Sequence, residues 1–219
     1  MRHEGPTRRS LGRWLDCPPR HQSRGQALTE FAIVLPLFMV LLLGLIEFAF
    51  MFAATLSVNF ATRNASLIAA EAGNASLADC KILQQIDANI SAPENVAQVQ
   101  SVTIFQATQT GSPVSGVADT YMYGGSLSCP FTTGTVTLPY TESTSADTYP
   151  PTSRCNTLAG CLVSGTTDTY VPLDTIGVQI VYKYGYHTPL PNLLPFLPGS
   201  GTGSFNLTWS NVMRMEPVL

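Results

Sequence analysis

From Phe31 to Ile46 the chain runs sixteen positions without a charge, and every one of them is apolar, glycine or proline. As a helix rising 1.5 Å per residue this covers about 24 Å, short of a hydrocarbon core of roughly 30 Å. The pattern resumes after Glu47 as FAFMFAATLSVNFAT and carries no further charge until Arg63. The expected element is a membrane-crossing helix that emerges with Glu47 in its outer half or near the interface, bent at Pro36 where a backbone donor is missing. Beyond Arg63, apolar residues at Leu67 and Ile68, then Ile82, Leu83, Ile86 and Ile90, keep helical spacing. Gly73 interrupts them, so a helix extension and a second short helix are predicted.

The period changes at Pro93. Residues 96–107, 118–124, 175–186 and 203–215 alternate and are rich in Val, Ile, Thr and aromatics, which predicts strands. Residues 125–170, dense in Thr, Ser, Gly and Pro, read as an irregular insertion pinned by disulfides. Four prolines in PLPNLLPFLPGSGTG (189–203) rule out a regular helix or central strand. That stretch is expected to be an apolar loop between the last two strands, either touching membrane or a neighbour or covering one end of the sheet. The fold class is α+β: a long N-terminal transmembrane helix, a short helix, and an exported antiparallel sheet with an insertion. The divisions are a basic leader (1–25), the helix with its extension (26–75) and the exported domain (76–219).

Charge gives this arrangement an orientation. Residues 1–24 hold six arginines against Glu4 and Asp16, while beyond Gly25 five basic residues face twelve acids. A basic head set directly against an apolar run predicts an N-terminus on the cytoplasmic side and makes a nucleic-acid tail the poorer reading. The apolar core exceeds the 7–15 residues of an ordinary secretory signal, and the nearest A-x-A, Ala70-Glu71-Ala72, lies well beyond it. A retained single-pass anchor is expected. Cys17 falls on the inner side; Cys80, Cys129, Cys155 and Cys161 fall beyond the helix. An even four in an oxidising compartment points to two disulfides, and the absence of a C-x₂-C pair argues against zinc. Three pairings are possible; the small loop CNTLAGC favours Cys155–Cys161, with Cys80–Cys129.

Candidate chemistry is sparse. His187 is the only histidine beyond the apolar run, no G-x-S-x-G elbow occurs, and no acidic cluster has metal-ligand spacing. PGSGTGS precedes a strand where a phosphate cradle needs a helix. No enzyme activity, cofactor, metal, nucleic acid or small-molecule substrate is expected. Sequons at Asn64, Asn74, Asn89 and Asn206 matter only in a host that glycosylates exported asparagines.

Two carboxylates remain to be explained, because one near the centre of a spanning helix costs about 2.5–3.5 kcal/mol on insertion scales. Arg24-Gly25-Gln26, followed by Glu30, resembles a type IV prepilin processing site: cleavage after Gly25 makes Gln26 the first residue and Glu30 the fifth. A longer stretch, GQALTEFAIVLPLFMVLLLGLIEFAFMF, resembles the N-terminal motif of the TadE-like family, pseudopilins of the tight-adherence (Flp) pilus system. FATRNASLIAA, TIGVQIVYKYGY…TPL and SNVMRMEP are similar to its later segments; the arginine often found after the second glutamate is replaced here by Ala49-Phe50.

The resemblance implies a minor pilin-like component of a tight-adherence pilus or related secretion system. Its setting would be the bacterial cytoplasmic membrane, with the C-terminal domain outside. Its partners would be a prepilin peptidase, other pilin-like subunits and the assembly platform. Glu30 would receive a neighbour's Gln26 amine and set register. Glu47, 17 residues on, cannot share that partner, and is left to Arg63, another subunit or the lipid headgroups. The rival function is an uncleaved anchor presenting a ligand- or surface-binding domain.

Overall fold

The structure, a computed structural model, describes residues 23–90, 94–143, 148–157, 160–162 and 170–217. The leader through Gln22, with Cys17, lies outside the described residues, as do parts of the expected insertion. Two units are distinguished, Met1–Leu42 and Leu43–Leu219. The described part of the first is the opening of helix α1 (Ser23–Ala72), an apolar helix that continues through Pro36. The second holds the remainder of α1, then α2 (Ala78–Asn89), β1 (Val99–Ala107), β2 (Pro113–Phe131), β3 (Gly134–Glu142), β4 (Cys161–Leu162), β5 (Tyr170–Val171), β6 (Thr175–Gly185), α3 (Leu190–Leu193) and β7 (Ser204–Arg214).

Five strands form one antiparallel sheet in the order β3-β2-β1-β6-β7. Its buried face carries Val102 and Ile104 from β1 and Ile176, Val178, Ile180, Tyr182 and Tyr184 from β6, the every-other-residue set that a pleated strand presents. Against them lies a stripe of α1 at helical spacing, Ala54, Val58, Ala61, Ala65 and Ala69, joined by Ile82, Leu83 and Ile86 of α2. The α1 stripe is small because the sheet supplies the bulk: Tyr140, Tyr182 and Tyr184 are among the largest buried side chains. On the opposite face the Phe105 ring lies over Gly177, its β6 partner, where an added Cβ would sit 2.3 Å from a ring carbon.

Gly73 ends α1, as expected, with φ +55°, the left-handed conformation that glycine takes at a helix C-terminus. Its bare Cα also admits the Asn156 side chain, which a Cβ would meet at 2.2 Å. The chain's end closes over the same place, with Glu216 N donating to Ala70 O at 3.1 Å. Two sequon asparagines, Asn64 and Asn89, are joined to each other at 3.1 Å and tie α1 to α2.

The insertion is where expectation and structure part. Residues 125–142 are not irregular: β2 runs on to Phe131, turns at 132–133, and returns as the edge strand β3. Gly124 and Gly125 mark a register shift between Tyr123 and Leu127 that breaks the alternation. Pro139 fits because an edge strand has one side without ladder bonds. Smaller differences are a 3₁₀ turn at Val96–Gln98 before β1 and the single helical turn α3 inside the proline-rich loop.

Both disulfides form, Cys80–Cys129 from α2 to β2 and Cys155–Cys161 within the insertion. A buried polar cluster does the rest of the pinning. Arg154 lies 2.6 Å from Asp79 Oδ1 of α2 and 3.4 Å from Asp119 Oδ2 of β2, and donates to Tyr149 O at 3.1 Å. Asp119 accepts from Tyr149 N at 2.7 Å, and Asp174 accepts from Gln106, Tyr149 and Cys155.

Arg154→Ala removes the counter-charge shared by two buried carboxylates, Asp79 and Asp119, and is expected to cost about 3–5 kcal/mol, measured by urea unfolding of the detergent-solubilised full chain. Replacing Cys80 and Cys129 together by Ser is expected to cost about 2–4 kcal/mol in the same assay. Non-reduced mass spectrometry of the unaltered chain should show four protons fewer than the reduced form, with Cys17 alone free to alkylate.

Candidate functional site

The sequence-predicted site residues fall into three groups. Gly25, Gln26 and Glu30 lie on the exposed opening turns of α1. Leu28, Phe31, Ile33, Leu37 and Leu41 are exposed around them, so the helix is apolar on all sides, the signature of a membrane span or a buried helix. Among the described residues, Gly25–Ala72 is the one helix long and apolar enough to cross a membrane. The Glu30 carboxylate accepts from Gln26 Nε2 at 3.1 Å, one turn back, so residue 26 and Glu30 share one side of the helix. A Cβ added at Gly25 would meet no atom within 4 Å.

Glu47 behaves differently. It is 7% exposed and its carboxylate is fully engaged inside the second unit. Tyr184 Oη donates to Oε1 at 2.5 Å, Thr188 N to Oε2 at 2.8 Å, and His187 N to both oxygens at 3.2–3.3 Å. The His187 ring stacks on Phe50 at 4.6 Å. Arg63, an exposed residue sixteen positions farther along α1, is not among these partners. Glu47 clamps the end of β6 and the turn after it onto α1. The cysteines, the third group, are the two disulfides already described.

The same device recurs across the domain, and sequence reasoning missed it. Tyr121 Oη donates to Asp79 (2.9 Å), Tyr140 to Asp87 (2.8 Å), Tyr149 to Asp174 (3.0 Å) and Tyr182 lies 2.7 Å from Glu94. Burial, and then the adjoining carboxylate, pushes each of these phenols, with Tyr184, well above the ordinary tyrosine range. They remain protonated donors throughout the physiological range. The partners lie 25 to 137 residues apart, so the available signal was compositional: a weakly charged chain with buried-strand tyrosines and acids on the facing elements.

Residues 25–66, within α1, match the model of the TadE-like protein family. No curated protein and no solved structure matches the chain. TadE-like proteins are structural pilus components, and the match supports a pilin-like component of a tight-adherence pilus.

Tyr184→Phe removes one donor from the Glu47 clamp and is expected to destabilise the full chain by roughly 1–3 kcal/mol. Glu47→Ala leaves three donors without their acceptor and is expected to cost more. Hydrogen exchange should then accelerate over residues 184–198 while α2 and β1 stay protected.

Proposed function

We propose that this chain is a minor pilin-like subunit of a tight-adherence pilus assembly apparatus. In this reading α1 spans the bacterial cytoplasmic membrane with its N-terminus inside and the sheet domain outside, and a prepilin peptidase cleaves after Gly25. The carrying observation is the pairing of the TadE-like match over residues 25–66 with the layout of its first turns. Gln26 and Glu30 share one side of an otherwise apolar, exposed helix. Cleavage creates an ammonium on Gln26 at the depth of Glu30. In low dielectric either charge is costly alone, and a neighbour's amine set against Glu30 compensates both and fixes register between packed helices. Glu47, already consumed within its own domain, takes no part in that contact.

The mature protein should begin at Gln26 on N-terminal sequencing from native membranes. Gly25→Leu should retain the leader, and since a Cβ at this position meets no atom within 4 Å, that effect is expected to report the peptidase and not the fold. Glu30→Ala should leave processing, membrane level and disulfides intact yet abolish crosslinking from a cysteine at Ala27 to partner pilins, along with adherence. A broken desolvated pair costs about 3–5 kcal/mol, against roughly 0–1 for a solvated one. Glu30→Asp should be intermediate. Equal crosslinking in all three versions would sink the pairing and favour a simple anchor that presents a binding domain.

A further inference from the structure

Large apolar side chains more than half exposed are confined, among the described residues, to two places: α1 as far as Phe60, and the loop between β6 and β7, where Leu193 is 56% and Phe196 78% exposed. No Asp, Glu, Lys or Arg occurs between Lys183 and Arg214. The loop is compact. Tyr186 Oη donates to Pro198 O at 2.6 Å, Leu194 N to Leu190 O at 2.8 Å, Leu197 N to Leu194 O at 3.2 Å and Ser200 Oγ to Pro195 O at 2.8 Å. Prolines at 189, 191, 195 and 198 remove four backbone donors outright. These bonds and the missing proline donors lower the number of open backbone groups, which irregular backbone needs before it can meet hydrocarbon.

The loop is also held at a defined level of α1. Glu47 grips the backbone of His187 and Thr188 just ahead of it. Beside this clamp runs a mainly apolar groove of about 350 Å³, lined by Gly44, Phe48, Met51, Leu190, Leu197 and Phe205, with Glu47 and Tyr186 as its polar members. A hydrocarbon core of roughly 30 Å takes about twenty helical residues. Counted from Phe31, the first residue after Glu30, these end at Phe50. Gly44, Glu47 and Phe48 of the groove thus fall in the last two turns of the span, and Met51 just beyond it.

We propose that the loop 189–198 is a membrane-insertion surface: Leu193 and Phe196 enter the outer leaflet, and a lipid acyl chain occupies the groove against Phe48 and Met51. This rests on α1 being a membrane span. The occupant is lipid because the groove is continuous with the lipid-facing surface of that span. It also lies at the boundary layer where apolar and aromatic side chains bury roughly 5–10 Å deep in monotopic attachment. Glu47 then acts as a positioning residue that sets the depth of the loop.

The test uses the full chain with Cys17→Ser, reconstituted into phosphatidylethanolamine–phosphatidylglycerol vesicles. An environment-sensitive fluorophore is placed in separate samples through Leu193→Cys, Phe196→Cys, Thr208→Cys on the exposed side of β7, and Leu37→Cys within the span. Mass spectrometry checks that both disulfides persist. Probes at 193 and 196 should lose emission to lipids carrying a nitroxide near the headgroup, and lose less to those carrying it near the methyl end. The loss should hold down to the lowest protein-to-lipid ratio, while the Thr208→Cys probe stays unquenched. If the Leu37→Cys probe is quenched and those at 193 and 196 behave like Thr208→Cys, the loop lies in water and the proposal is overturned while the span stands. If the loop probes become shielded only as protein density rises, without nitroxide quenching, a second copy covers the groove and the proposal is likewise overturned. An unquenched Leu37→Cys probe removes the span itself, and the proposal with it.

Discussion

The second unit is assembled around phenols that donate to carboxylates. A buried carboxylate without donors is too costly to keep, and a buried phenol without an acceptor wastes its hydroxyl. Set together, they solve both problems, and the ring fills the space between helix and sheet. Tyr184–Glu47 joins β6 to α1, Tyr121–Asp79 and Tyr140–Asp87 join β2 and β3 to α2, and Tyr182–Glu94 anchors the approach to β1. A phenol is a neutral donor at physiological pH, and burial raises its pKa further, so these bonds add no second charge. They help the second unit hold eleven acids with only five basic residues. Only Arg154 is drawn into the interior among the described ion pairs, and it serves two acids at once.

The elements that could be read from sequence are those whose neighbours along the chain share their environment. The long helix, the break at Gly73, the second helix and the strands 99–107, 175–185 and 204–214 all carry an unbroken period of their own. Strand β3 and the far half of β2 do not, although Leu127 and Cys129 face Val136 and Leu138 at period two. An edge hairpin with one face in water needs few large side chains, and its glycines and threonines look like those of a loop. The short loop between Cys155 and Cys161 was enough to favour a disulfide pairing. The Arg154 cluster was invisible, because its members come from α2, β2 and the insertion.

Glu30 and Glu47 show the same limit from another side. Each stands in an apolar helical run and is followed by phenylalanine, so local sequence assigns them similar parts. Their surroundings differ entirely. Glu30 has a side-chain amide one turn back and an open helix surface around it. Glu47 has a strand end, a turn and a phenol that arrive from 137 to 141 residues away. Nothing near position 47 announces Tyr184. The segment YGYHTPL was legible as a strand end, but not as the other half of a clamp.

That separation also has a cost in time. Synthesis proceeds at roughly 5–20 residues per second, so Tyr184 follows Glu47 out of the ribosome by on the order of ten seconds. During that interval α1 is complete, its carboxylate is ionisable, and every donor that will receive it is still unmade. In the membrane setting proposed above, the nascent helix has to be held at a depth where water or a headgroup can solvate Glu47, and only the arrival of the closing strands frees it from that solvation. In that proposed setting the boundary of the membrane is first a temporary ligand for a side chain that the finished domain later takes back.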